Sequence, residues 1–247
     1  MKPNVWLTGL VDVLFPPACL SCGGIPEIAP DDVFCSRCRH ELVFLDGSLC
    51  TVCGLPFPDS PAPDHLCANC IEKAPPYSIA RSVFSYEGKI LEAIHQFKYA
   101  LNLAVGQALA GWMAKYPFRG LHPETFDLLI PVPLHIKRLR QRGFNQALIL
   151  AKGLSGAYDV DINFRCLSRR RETLTQTGLT RNQRQENVRG AFALKSEKDV
   201  AGKRILLIDD VLTTGATIGE CARLLLKAGA ADVGAVTLAR VADKPMI

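Results

Sequence analysis

The chain has 247 residues, 48% of them hydrophobic, and a formal net charge of +5 at pH 7. That length allows one large or two smaller domains and that apolar share excludes a disordered chain, while no run approaches the roughly 18 apolar residues of a spanning helix, so no integral membrane segment is expected. The charge is uneven, with four basic and nine acidic side chains in residues 1–76 against twenty-five and fifteen in 77–247, so the carboxyl-terminal part suits polyanions, pyrophosphates and nucleic acid alike.

Met1 to Phe15 is apolar (Val5, Trp6, Leu7, Leu10, Val11, Leu14, Phe15) but is interrupted by Pro3 and Asp12. It has neither a charged n-region nor a small-residue cleavage site. It reads as a short amphipathic helix docking on the body, with a membrane-surface role as the lesser alternative. The expected location is cytoplasmic.

Eight of the ten cysteines fall in four pairs of one spacing: Cys19/Cys22, Cys35/Cys38, Cys50/Cys53 and Cys67/Cys70. A Cys-x-x-Cys knuckle puts two thiolates on one side of a tight turn, the bite a tetrahedral zinc requires. A disulfide framework is the alternative, and the lack of a secretion signal argues against it. Sequential pairing places Cys19, Cys22, Cys35 and Cys38 on one zinc and Cys50, Cys53, Cys67 and Cys70 on another. An interleaved cross-brace is the other arrangement; the ribbon-like length of each half, with Gly23 and Gly54 beside the first knuckles, favours the sequential one. Four thiolates leave no open position, so both zincs read as structural. A segment this short, with few large apolar side chains, needs metal to fold. Cys166 and Cys221 lie apart in apolar stretches and read as core thiols, although Cys166 follows Arg165 and a reactive role stays open.

Where the cysteine pairs stop, Ala74-Pro75-Pro76 marks a boundary, giving an expected ribbon domain over 1–76 and a second domain over 77–247. Ser78 to Tyr86 alternates apolar and polar residues as a strand. From Lys89 to Lys115, apolar residues recur at helical spacing, with a break near Asn102 or Gly106. Lys98 reads as a snorkelling surface lysine in preference to a phosphate ligand, and His95 receives no role. Phe126 to Pro133 is a buried strand that Pro131 and Pro133 end. Leu134 to Arg142 concentrates Lys137, Arg138, Arg140 and Arg142 in a loop, before a helix from about Phe144. A basic loop between a strand end and a helix start is an anion-binding position, and in an open parallel sheet two such loops face one crevice. A basic nucleic-acid patch is the alternative. Residues 160–167 alternate as a strand. Arg169 to Arg189 is polar, cationic and without apolar periodicity, so it reads as a mobile functional loop. Gly190 to Leu194 and Val233 to Leu238 read as further strands.

The most informative stretch is Arg204 to Glu220. Ile205, Leu206, Leu207 and Ile208 suit a strand buried on both faces. Asp209 and Asp210 follow, then Thr213, Thr214, Gly215, Ala216 and Thr217. Thr217-Ile218-Gly219-Glu220 matches a capping box, so a helix is expected from Thr217 to about Gly229. A helix start offers free N–H groups and a positive dipole end to a phosphate. Gly215 lets the backbone approach, the threonine hydroxyls donate, and the two carboxylates accept from a diol such as that of a ribose. The alternative, a solvated turn, leaves two self-repelling carboxylates at a buried strand end unexplained.

These residues resemble the fingerprint of the type I phosphoribosyltransferases: four apolar residues, two acidic residues and a Thr-Gly-rich loop. The resemblance implies an α/β fold with a mostly parallel twisted sheet flanked by helices, here preceded by a small zinc-ribbon module with four cysteines to each zinc. It implies that Asp209 and Asp210 hold the ribose hydroxyls of phosphoribosyl pyrophosphate and that Thr213, Thr214, Gly215, Ala216 and Thr217 hold its 5-phosphate. Pro133, Leu134, Lys137, Arg138 and Arg142 would hold the pyrophosphate, bridged by magnesium. A flexible loop would close over the leaving group, with Arg181 as its candidate cation.

Over nearly the whole chain the sequence is similar to the competence protein F (ComF, GntX-like) family. The double ribbon, Phe97-Lys98-Tyr99, Ile130-Pro131-Val132-Pro133-Leu134, Arg142-Gly143-Phe144-Asn145-Gln146-Ala147, Asn182 to Val188 and the Asp209–Thr217 fingerprint carry that resemblance. It implies a bacterial cytoplasmic protein, linked in some members to natural transformation and DNA uptake, and leaves the acceptor substrate open. Two readings follow. One is an enzyme that transfers phosphoribosyl to an acceptor. The other is a non-catalytic adaptor or sensor, whose ribbons and basic loops bind single-stranded DNA or a competence-machinery protein. The acidic ribbon region favours protein contact over DNA.

Overall fold

The computed structural model describes residues 19, 21–24, 34–57, 62–99, 103–173 and 181–242, with 181 and 182 described in their backbone only. The expected helix over Met1–Phe15 lies outside them. In chain order the elements are α1 (Ser36–His40), α2 (Ala68–Glu72), β1 (Ile79–Ser85), α3 (Gly88–Tyr99), α4 (Leu103–Lys115), β2 (Leu128–Pro131), α5 (Ile136–Arg142), α6 (Gln146–Tyr158), β3 (Leu167–Arg169), α7 (Arg181–Val188), β4 (Phe192–Leu194), β5 (Arg204–Leu212), α8 (Ala216–Lys227) and β6 (Asp232–Arg240).

Four strands form one parallel sheet in the order β1-β6-β5-β2, and β3 and β4 form a separate antiparallel pair. β5 and β6 are interior, so Ile205 to Ile208 lose all contact with solvent. The side-chain period of two sends Leu206 and Ile208 to one face and Ile205 and Leu207 to the other. The first face packs against α3, α4 and α6 through Ile94, Phe97, Leu109 and Leu150. The second packs against α8 through Ile218 and Leu225, and against Val188 and Phe192. A Cβ on Gly153 of α6 would stand 2.7 Å from the Cβ of Ala110 on α4, so glycine is what lets these two helices approach.

The two ribbon halves join opposite faces. Cys19, Phe34, Cys38 and Leu42 belong to the first core, whereas Cys50, Cys53, Cys67 and Cys70 belong to the second. The chain between them covers the free edge of β1: Leu45 donates to the Val83 carbonyl at 3.0 Å and Ser85 to that of Val43 at 2.8 Å. An unpaired edge is thereby closed.

β1 forms where the alternation expects a strand, and its polar residues are buried on both faces: Arg81 donates to the Thr51 carbonyl of the ribbon, and the Ser82 hydroxyl bonds that of Thr237 on β6. Four sequence expectations change. Leu134 to Arg142 is not a loop throughout; residues 136–142 are α5, ended by Gly143 at φ 72°, and α6 begins after Asn145, whose Oδ1 accepts from the Ala147 N–H. The strand expected over 160–167 reduces to a bridge between Ile162 and Leu129, with β3 beyond it. The long polar stretch contains α7, anchored by buried Val188, and its residues 174–180 lie outside the described ones. Finally, α8 begins at Ala216, one residue before Thr217, with Gly215 at φ 76° as its N-cap and no capping box. Glu220 accepts instead from the Gly190 N–H at 2.7 Å and pairs with Arg223.

Candidate functional site

β5 runs on to Leu212, so Asp209 and Asp210 lie within the strand and not after it, Asp209 in register with Thr237. Asp209 Oδ1 accepts from the Asp210 N–H at 2.9 Å. Burial, and then the charge of Asp210, push the Asp209 carboxyl up to about 7. Lys98, at the carboxyl end of α3, places Nζ 2.8 Å from Asp210 Oδ2, with side chains only 16% and 14% exposed. Burial works against the Lys98 charge, but the charge and hydrogen bond of Asp210 outweigh it and hold the ammonium above its ordinary range.

Opposite the acids stand cations set by β2, α5, α6 and β3. Asn145 Nδ2 donates to the Val132 carbonyl at 3.0 Å, which fixes the start of α6 to the end of β2. Arg142 donates to Gln146 Oε1 at 3.2 Å and lies 5.2 Å over the Tyr99 ring. Arg138 donates to the Thr173 carbonyl at 3.4 Å, and Arg169 donates to the Thr173 hydroxyl. Burial, and then the neighbouring Arg138, lower the Arg169 pKa, so this guanidinium would gain from an anion beside it. Gln146 Nε2, Arg169 Nε and Thr214 Oγ1 are buried and make no hydrogen bond among the described residues. Such atoms are costly unless something meets them.

Asp209, Asp210, Thr213, Thr217, Pro133, Leu134, Arg138 and Arg142 all line one cleft of about 370 Å³. Thr213 also lines a neighbouring cavity of about 720 Å³, together with Thr214, Gly215 and Ala216. Lys137 is not brought in: its side chain is 65% exposed and pairs with Glu172 at 2.6 Å. The side chain of Arg181 lies outside the described residues. The cleft adds Lys98, Gln146, Arg169 and Arg184, which sequence reasoning did not place there. Two had a legible signal. Lys98 follows Ile90 and Ile94 at i+8 and i+4, on the buried face of α3, and Gln146 leads Leu150 and Leu154 in the same way.

The cysteines pair sequentially. The ligand atoms of Cys19, Cys22, Cys35 and Cys38 all lie within 4.8 Å of one another, as do those of Cys50, Cys53, Cys67 and Cys70. Cys22 and Cys35 are 3.7 Å apart at sulfur, and so are Cys53 and Cys67. A tetrahedron with zinc–sulfur bonds of about 2.3 Å has edges of about 3.8 Å, so both sets fit zinc. Cys166 and Cys221 are buried core thiols, and burial pushes the Cys166 thiol up to about 11, away from reactivity. Among the described residues no helix is long and apolar enough to cross a membrane.

Comparison with known proteins agrees with this layout. A double zinc ribbon domain matches residues 10–71 and a phosphoribosyl transferase domain matches residues 139–246. The DNA utilization protein YhgH of Escherichia coli K12 is 34% identical over 83% of this chain and 88% of its own. Competence protein F of Haemophilus influenzae is 30% identical over 83% and 96%, and competence protein ComFC of Bacillus subtilis 29% over 86% and 86%. Among solved structures, a glutamine phosphoribosylpyrophosphate amidotransferase from B. subtilis aligns over 57% of this chain and 30% of its own at 18% identity and a TM-score of 0.39, an overlap that adds nothing to the topology above. The chain belongs to the competence protein F family, in which a double zinc ribbon stands in front of a phosphoribosyltransferase domain.

Proposed function

We propose that the cleft binds phosphoribosyl pyrophosphate with magnesium and transfers its phosphoribosyl group to an acceptor. The observation that carries this reading is the gathering, in one cleft, of two carboxylates, the Thr213 and Thr217 end of a helix-capping loop, and the cations Arg138, Arg142 and Arg169. Diol acceptors, 5-phosphate donors and pyrophosphate counter-charges are then within one ligand's reach. Asp209 and Asp210 would accept from the ribose hydroxyls, with Lys98 holding Asp210 in place. The loop from Thr213 to Thr217 would hold the 5-phosphate at the start of α8. Magnesium, when bound, would neutralise charge on the pyrophosphate, and Asp209 and Asp210 are the residues that would hold it through the substrate. As the acceptor bonds to the anomeric carbon, the bond from that carbon to pyrophosphate breaks, and Arg138, Arg142 and Arg169 would meet the charge that gathers on the leaving group. Arg181 would add to them from the start of α7. Relatives named for competence and for DNA utilization make DNA uptake in the bacterial cytoplasm the setting we propose, with single-stranded DNA or a protein of that machinery as partner.

Calorimetric titration of phosphoribosyl pyrophosphate with magnesium into the zinc-loaded protein, beside an Asp209→Asn/Asp210→Asn double variant, tests the pocket. Binding by the wild type and its loss in the variant is the expected result. No binding by a folded wild type would overturn it.

A further inference from the structure

The second cysteine cluster is tied to the sheet by two buried arginines that the cleft does not use. Arg81 on β1 and Arg240 on β6 are 4% and 6% exposed. A guanidinium taken out of water is expensive unless charge meets it. Asp64, the carboxylate nearest in charge to Arg81, is engaged by Arg119 at 3.0 Å. Arg81 donates instead to four carbonyls, two of them in the first knuckle of the second cluster: Cys50 at 3.4 Å and Thr51 at 3.1 Å. Arg240 Nη2 donates to Cys53 Sγ at 3.4 Å, while its Nε and Nη1 have no partner among the described residues. The four thiols of that cluster are all buried. A zinc ion in four thiolates carries a net charge of about −2, so two guanidinium groups beside it restore neutrality.

The same arginine sits under the loop at the helix start. Arg240 is in register with Leu212, the last residue of β5, and Val241 donates to the Leu212 carbonyl at 2.9 Å. Cys53, Cys70, Tyr77, Arg240 and the loop from Thr213 to Ala216 line one cavity. Tyr77 holds its hydroxyl 3.0 Å from where a Cβ on Gly215 would sit. The first cluster is built differently: Cys22 is exposed and Cys35 is half-buried.

We propose that Arg240, supported by Arg81, is the counter-charge of the second zinc and makes that zinc a fixed brace beneath the Thr213–Thr217 loop, whereas the first zinc is exchangeable. The proposal concerns metal retention and loop order, so it stands whether or not the cleft takes a phosphoribosyl ligand.

The test loads the full chain with zinc and follows release to excess 4-(2-pyridylazo)resorcinol. Wild type is expected to release zinc in two phases, and Cys22→Ser to lose the fast one. Arg240→Met is expected to speed the slow phase about 10–100-fold, the usual effect of removing a partner of a metal ligand. Hydrogen exchange of residues 212–219 should rise with it. Arg240→Lys keeps the charge without the fork and should hold the slow phase within about threefold. A single phase in wild type, loss of the slow phase in Cys22→Ser, or an unaltered slow phase in Arg240→Met overturns the proposal. Should Arg240→Met not fold, Arg240→Lys decides: release as fast as from the first site refutes the counter-charge.

Discussion

Replacing Lys98 with methionine asks whether charge holds the cleft together. Methionine keeps the apolar stem and removes only the ammonium, which lies 2.8 Å from Asp210 Oδ2 with both side chains about six-sevenths buried. What is left is two carboxylates on successive residues, one of which already titrates at about 7. A unit charge pair about 4 Å apart is worth about 4 kcal/mol at an effective dielectric constant of about 20. Burying Lys98 cancels part of that, so the net loss should be about 2–3 kcal/mol. In a chain of this size it corresponds to about 5–10 °C in Tm. Asp210→Asn removes the repulsion, so the double variant Lys98→Met/Asp210→Asn should be no less stable than Lys98→Met alone. The cycle should give a coupling of about 2 kcal/mol. Urea unfolding of the zinc-loaded protein at pH 8, followed by circular dichroism, measures all four. Were Lys98→Met to stay within about 0.5 kcal/mol of wild type, or the two substitutions simply to add, the ion pair would be an ordinary surface contact and the reasoning would fail.

Asp209→Asn should stabilise the fold while abolishing phosphoribosyl pyrophosphate binding. The folded pKa of Asp209, about 7, is raised above the ordinary 3.8, so the native state keeps its proton and ionisation costs stability as pH rises through that window. Cleft water screens the cost to about 1–2 kcal/mol at pH 8, and the gain in thermal melts should shrink as pH falls from 7 towards 4; a gain that grows on acidification would reverse the assignment. Gly215→Ala should cost about 1–2 kcal/mol in denaturant unfolding, because its φ of 76° and the Tyr77 hydroxyl both resist a Cβ; unchanged stability would show that the loop adapts freely. In the calorimetric titration Arg138→Met should weaken phosphoribosyl pyrophosphate about tenfold or more, whereas Lys137→Met, which loses only an exposed pair with Glu172, should leave it unaltered. Equal losses from both would mean that general charge and not cleft geometry binds the ligand.

The elements that were legible early share a property: their chemistry sits at short, fixed sequence spacing. Four Cys-x-x-Cys pairs specify ligand bites through the turn alone; loop lengths favour the sequential grouping over a cross-brace, and the structure has the sequential one. Ile205 to Ile208 read as a strand buried on both faces because an interior parallel strand tolerates no polar alternation. Where local chemistry competed with tertiary context, the reading shifted. Thr217 to Glu220 matches a capping box, but Glu220 is drawn to Gly190 and Arg223, and Gly215 takes the N-cap of α8. Basic Leu134 to Arg142 resembled a loop because α5 buries no residue and so carries no apolar stripe.

The sequence by itself determined the four Cys-x-x-Cys knuckles, the doubly buried strand Ile205–Ile208 and the carboxylate–loop run from Asp209 to Thr217, since each is encoded within a turn or two of chain, whereas the grouping of the knuckles into two sets is fixed by the fold. Only the tertiary structure decided which distant charges meet them. Lys98 reaches Asp210 across 112 residues, and Arg240 reaches Cys53 across 187. Sequence spacing carries no record of such pairs, because the sheet order β1-β6-β5-β2 brings the first strand beside the last. Their partners are chosen by burial: a charge removed from water must find its opposite wherever the fold has placed it.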